Sequence, residues 1–180
     1  MKIILVILLL TSVSLVSAQC IHQRMASFSV DPVTRSDTFD IIHTNLWVDV
    51  TDQEGDDIIA FAEMTFMPIL SNLNYVAFDL KGLTVDSVVF ADEQKNFDHD
   101  GEDIYIYLDS SLTSLQEYKV DIYYHGKPVS DPSGWGGWYT GAGYTYNLGV
   151  AFEDDPHSYG RIWHPCFDNF VERSTYEISV

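Results

Sequence analysis

Between Asp40 and Tyr124 apolar residues recur at every second position, in run after run, and each run closes on turn chemistry. A period of two places alternate side chains on opposite faces of an extended strand and does not fit the 3.6-residue period of a helix. In Asp40–Val50 the residues Ile42, Leu46, Val48 and Val50 share a face. Ile58–Met67 follows after the polar turn Asp52–Asp57. It is apolar on both faces, so burial on both sides is expected, and Pro68 ends it. Tyr75–Leu80, Leu83–Phe90, Ile104–Leu108 and Tyr118–Tyr124 continue the pattern, broken by Lys81-Gly82 and by the turn Asp98–Asp103. Only Ser111–Gln116 suits a helical turn. Strands spaced by ~10–18 residues predict an all-β fold, a saddle-shaped antiparallel or mixed β-sheet sandwich.

The first residues have the form of an export signal. Lys2 is followed by the apolar run Ile3–Leu10 and by small residues up to Val16-Ser17-Ala18. The run is shorter than the ~20 apolar residues needed to span a bilayer. Residues 1–18 therefore read as a cleaved signal peptide, which predicts a secreted, periplasmic or cell-envelope protein with no stable membrane span. Lipid attachment at Cys20 is the disfavoured alternative, because Gln19 stands where a small residue normally precedes such a cysteine. Residues 19–39 read as a polar leader and 40–180 as one β domain. Cys20 and Cys166 lie at opposite ends, so they make no disulfide framework, and Cys166 reads as a small buried hydrophobe. With 27 Asp and Glu against 9 Lys and Arg, the chain repels phosphate, which excludes nucleic acid as a partner.

Chemistry-bearing patterns concentrate after Pro128. Asp131–Tyr146 is rich in glycine and aromatic residues without a period, and predicts a long irregular loop or hairpin. Its Trp135, Trp138, Tyr139, Tyr144 and Tyr146 either pack the loop onto the sheet, the favoured reading, or form a stacking platform. Glu153-Asp154-Asp155-Pro156-His157 is either a solvated acidic loop or a carboxylate cluster able to hold a cation such as a peptide's free amine. Asp98–Asp103 has oxygen ligands but no distal bidentate glutamate, and reads as a hairpin turn. There is no His-Glu-x-x-His helix, no Gly-x-Ser-x-Gly elbow and no phosphate-cradling loop, and the six histidines are scattered. No catalytic residue and no metal ligand can be assigned.

The last stretch runs from Gly160 through Arg161, Trp163, Pro165, Cys166 and Asp168 to the strand Thr175–Val180. These five residues read as structural: Arg161 bridging to a carboxylate, Trp163 and Cys166 buried, Pro165 stiffening the turn, Asp168 capping the N–H groups of Asn169–Glu172. Val180 has no turn or cap behind it, so the chain is expected to continue in a longer protein.

The same stretch resembles the R-x-x-x-P-C-x-D-x-P…K-x-x-[FY] signature of the gluzincin aminopeptidases, the aminopeptidase N and leukotriene hydrolase family. Phe78–Val89 is similar to that family's L-D-L-x-G-L-x-V-x-S-V strand pair, and Tyr118–Pro128 to its x-V-x-I-x-Y-x-G-x-P strand. The resemblance covers about residues 40–180. It implies the N-terminal β domain of a zinc aminopeptidase-like metallopeptidase, without the Gly-x-Met-Glu-Asn and His-Glu-x-x-His motifs of the catalytic domain. That domain would be this chain's partner, with a peptide as substrate. Zinc belongs to the full-length family protein and no cofactor to this chain, which alone should be inactive. The family's amine-binding Glu or Gln falls at Pro156, with Glu153 and Asp155 nearby as substrate-binding candidates. Asn169 and Arg173 replace a proline and a lysine of the pattern. A different expectation is a stand-alone exported β module that binds carbohydrate or protein through Trp135–Tyr146.

Overall fold

A computed structural model describes residues 37–52, 54–141, 143–169 and 172–180. The signal peptide, Cys20 and most of the leader lie outside the described residues. Eleven strands are described and no helix: β1 (Phe39–Asp49), β2 (Ile58–Pro68), β3 (Tyr75–Asp79), β4 (Thr84–Phe90), β5 (Glu93–Gln94), β6 (Phe97–His99), β7 (Asp103–Tyr107), β8 (Tyr118–Gly126), β9 (Gly136–Gly141), β10 (Tyr144–Ala151) and β11 (Thr175–Ser179). The fold is all-β. A six-stranded mixed sheet has the order β11-β1-β2-β8-β4-β5, with β11 parallel to β1 and the other pairs antiparallel. A three-stranded antiparallel sheet has the order β3-β7-β6, and β9 and β10 form a hairpin.

The core lies between the first two sheets. Leu46, Val48, Ala62, Met64, Phe66, Val120 and Ile122 come from the large sheet, and Val76, Phe78, Ile104 and Ile106 from the smaller one. Phe39 lies edge-on to Phe66 and Phe78, each at 5.4 Å between ring centroids, and packs against Phe167 at 4.8 Å. Such aromatic pairs add about 0.5–1.5 kcal/mol each to the area they bury.

The structure departs from the alternation in several places. A bulge between Ile41 and His43 resets the face of β1: Phe39 and Ile41 point inward, then Thr44, Leu46 and Val48, while Ile42 falls out of the inner set. One extra residue in a strand shifts every later side chain, and composition does not signal it. β1 begins at Phe39, which is buried. β2 is not buried on both sides, since Ile59 is 59% exposed and Phe61 partly so. Ser111–Gln116 forms a turn rather than a helical turn. Residues 98–99 extend β6, and the turn proper is closed by Asp100, whose carboxylate accepts the N–H groups of Glu102 and Asp103 at 2.9 and 2.8 Å.

Phe66 is fully buried against Phe39, Phe78, Phe90 and Tyr118. Phe66→Ala is expected to lower unfolding stability by about 3–5 kcal/mol, read from the urea midpoint.

Candidate functional site

The irregular segment resolves into the β9–β10 hairpin and the loop behind it. Gly136 and Gly137 enter β9 at φ of +105° and +87°, a region L side chains rarely adopt. A Cβ on Gly136 would collide with the Val150 carbonyl oxygen, and one on Gly137 would lie 2.7 Å from Ser130 Cα. The sequence Gly-Gly-Trp therefore lets the chain cross close to its neighbours before Trp138. Trp138 is half-buried and packs on Trp163 at 6.0 Å, as a loop packed onto the body requires. Tyr139, Tyr146 and Tyr144 stack in series at 5.2 and 5.9 Å. Tyr144, Tyr146 and Trp135 are exposed. The aromatic set is thus divided between packing and an exposed ladder.

The acidic loop Glu153–His157 is pinned from below by Asp131. Its carboxylate accepts the N–H of Glu153 at 3.1 Å, the N–H of Asp154 at 3.3 Å and the Ser133 hydroxyl. Burial opposes the charge on Asp131, yet these hydrogen bonds hold its acid down at about 2. Asp154 turns inward, 2.6 Å from Lys81 Nζ and 3.3 Å from Arg161 Nη2. Glu153 and Asp155 remain on the surface, and the Asp155–Pro156 peptide is cis. The structure therefore brings Asp154 into an ion-pair network and leaves the two substrate-binding candidates exposed on a fixed backbone.

The five signature residues form the floor of this region. Arg161 and Asp168 are buried, with Nη1 and Oδ2 2.8 Å apart. Asp168 also accepts the N–H groups of Gly160 and Arg161, both at 3.2 Å. In the turn that follows, the Asn169 side chain receives the Glu172 N–H at 2.9 Å. A buried guanidinium needs a counter-charge such as that of Asp168. Arg161 further donates to the Ser158 carbonyl at 2.9 Å. Asp79, at the end of β3, accepts the Asp168 N–H at 2.7 Å and bridges to Cys166 backbone to backbone. The Tyr124 hydroxyl donates to the Trp163 carbonyl at 2.9 Å, which fastens the segment to the large sheet. Pro165 and Cys166 are buried, whereas Trp163 is only half-buried. His164 is buried, and burial holds its imidazole below the usual range, so it is neutral, with Nδ1–H donating to the Pro165 carbonyl at 2.9 Å.

Sequence reasoning missed Lys81, Asp79 and Asp131, the residues that hold the loop. Each stands far along the chain from its partner, so no local motif marks it.

Beside the hairpin the inner face of the large sheet continues past the core. Val48, Val50, Trp138, Trp163, Ile178 and Val180 line an open groove of about 320 Å³. Tyr176 and Ile178 stand opposite Thr44 and Leu46 on the inward side, yet are 48% and 51% exposed. Among the described residues no three His, Cys, Asp or Glu side chains converge to hold a metal, so these residues do not fit a zinc ion. Among them, too, no helix is long and apolar enough to cross a membrane.

No protein-family model matches the sequence, and no curated protein matches it. Solved structures do match its fold. An M1 zinc metallopeptidase from Deinococcus radiodurans superimposes with a TM-score of 0.70 at 20% identity, over 83% of this chain and 34% of that one. A two-domain M1 zinc metallopeptidase variant bound to L-arginine gives 0.67 at 19% identity, over 78% and 32%. Yeast LTA4 hydrolase in complex with bestatin gives 0.57 at 16% identity, over 88% and 26%. At these identities the likeness is one of fold. The chain has the fold of the N-terminal portion of M1 metallopeptidases and spans about a third of the metallopeptidase chains it matches.

Removing one member of a buried ion pair strands the other, at a cost of about 3–5 kcal/mol. Asp168→Asn is expected to lose about that much in urea unfolding, whereas Glu153→Gln on the exposed loop should stay within about 0.5 kcal/mol of the parent. A pH effect belongs to Glu172. Burial first, then the Asp40 side chain, pushes its acid up from 4.5 to about 7. The fold favours the protonated form, so this contribution is complete below the ordinary value and is lost as pH rises through about 7. Glu172→Gln should flatten the fall of the urea midpoint over that window.

Proposed function

We propose that the chain is the N-terminal β domain of a zinc aminopeptidase-like metallopeptidase, exported through residues 1–18. In this reading it leans on a catalytic domain carried by a longer form of the same chain and walls one side of a peptide-binding cleft. The observation that carries the reading is the fold correspondence over 83% of this chain with about a third of an M1 zinc metallopeptidase. The chemistry of the surface supports it. The groove beside β10 and β11 is open apolar surface of the kind a second domain covers. Glu153 and Asp155 stand on a loop whose backbone is fixed by Asp131, which suits carboxylates that meet the charged amine of a peptide. Zinc, and the water it activates, would be held by residues of the catalytic domain.

One observation favours a second reading. The Tyr139–Tyr146–Tyr144 ladder, with Tyr144 and Tyr146 exposed, fits a stand-alone exported module that stacks carbohydrate or protein side chains on its hairpin.

The coding sequence beyond Val180 decides between them. An in-frame Gly-x-Met-Glu-Asn followed by His-Glu-x-x-His supports the domain reading, and an immediate stop codon supports the module. Purified residues 19–180 are expected to release no amino acid from peptide anilides with or without added zinc. Metal-dependent release by this chain alone would overturn the assignment of the chemistry to another domain.

A further inference from the structure

The outer face of the six-stranded sheet, turned away from the core and from the groove, carries an ordered pattern. Trp47 on β1 stands opposite Phe61 on β2, and Phe61 opposite Tyr123 on β8. The Phe61 and Tyr123 rings are 4.9 Å apart, and Trp47 and Tyr123 are 47% and 40% exposed. Adjacent strands are about 4.8 Å apart, so the three side chains make a stripe about 10 Å long across the sheet. The row on one side is acidic, and the other carries carboxylates at its ends. On one side Glu177, Asn45, Glu63 and Asp121 stand opposite one another in turn. On the other lie Asp49, Ile59 and His125, with Asp86 2.9 Å from the His125 ring. Lys119 is the lysine beside the stripe, and Glu63 already holds it at 2.6 Å. Asp121 shares that lysine only at a distance: burial, then the Glu63 charge, pushes its acid up against the pull of Lys119.

We propose that this face docks a basic polypeptide segment, with arginine or lysine stems laid along Trp47, Phe61 and Tyr123 and their charged heads on Asp121, Glu177 and Asp49. The commitment to a basic partner rests on charge complementarity. An aromatic stripe with Glu177, Glu63 and Asp121 on one side and Asp49 on the other attracts a cation to the rings and to the rims, and repels an acidic chain. The long aliphatic stems of arginine and lysine cover apolar rings while their heads reach outward, so one residue type satisfies both features. The net charge of −18 adds a long-range attraction for the same partner. This surface is separate from the groove and loop of the proposed function and does not depend on that reading.

The test is fluorescence anisotropy of the full chain with a labelled hexa-arginine peptide, against hexaglutamate and a neutral cello-oligosaccharide as other probes. Saturable binding of hexa-arginine alone is expected, weakening by about tenfold between ~50 and ~300 mM salt. Trp47→Ser/Tyr123→Ser and Asp121→Asn/Glu177→Gln should each weaken it by at least about fivefold. Asp98→Asn/Glu102→Gln removes the same charge from the three-stranded sheet and should change binding less than about twofold. Urea midpoints establish that each variant is folded. The carboxylate pair keeps the test decisive if the aromatic pair is not, because exposed acids seldom alter stability. The proposal is overturned if the control pair loses as much as Asp121→Asn/Glu177→Gln, which would make the attraction a diffuse field. It is also overturned if a folded aromatic variant binds like the parent, or if the sugar binds saturably and without salt dependence while the cationic peptide does not.

Discussion

The buried pair of Arg161 and Asp168 anchors the segments around the acidic loop. A guanidinium taken out of water costs several kcal/mol unless its charge and its donors are met. Here Asp168 meets the charge at 2.8 Å, and the Ser158 carbonyl takes a further N–H. Asp154 completes the shell at 3.3 Å and is itself shared with Lys81. Because Asp168 also receives the N–H groups of Gly160 and Arg161, the turn closes on its own ion pair. The loop that displays Glu153 and Asp155 hangs from the same group. Asp131 fixes its backbone, and Asp154 ties it to the ion pairs of the floor.

The network also joins the two sheets. Asp79 ends a strand of the smaller sheet and accepts the Asp168 N–H, while Tyr124 of the large sheet holds the Trp163 carbonyl. The signature segment spans the edge of the core and satisfies polar groups that would otherwise be stranded there. Beyond it the cover stops. β11 extends the large sheet, but the cover over it is partial: the His164 ring meets Tyr176 edge-on at 5.7 Å, and Tyr176 and Ile178 remain half-exposed on the inward-facing side.

What the sequence made legible follows from the range of each interaction. The strands from β1 to β8 with full alternation were readable because a period of two is local, and their boundaries moved by a residue or two. The bulge at Ile42 was not readable, since an extra residue leaves no mark until a partner strand fixes the register. The two-residue β5 and three-residue β6 are too short to show a period. Arg161 as a partner of a carboxylate was legible from residue type, but the identity of that carboxylate was not. Lys81 read only as a strand breaker, because its role depends on Asp154, which comes within reach only on folding. The aromatic residues of 135–146 could be grouped by type. Their division into Trp138 against Trp163 and an exposed tyrosine ladder needed the hairpin register.

One sheet thus carries two surfaces of opposite chemistry, and strand geometry is the cause. Along β1, Leu46 and Val48 face inward while Asn45, Trp47 and Asp49 face outward, and the register transmits that division to β2, β8 and β11. A partner in the groove would gain mainly from burial of apolar area, which salt hardly screens. A partner on the outer face would be steered by carboxylates over exposed rings, which salt screens strongly. Contacts on the two faces can therefore be told apart by ionic strength alone, without either partner being removed. A change that shifted the register of β1 by one residue would exchange the two chemistries and disable both faces together.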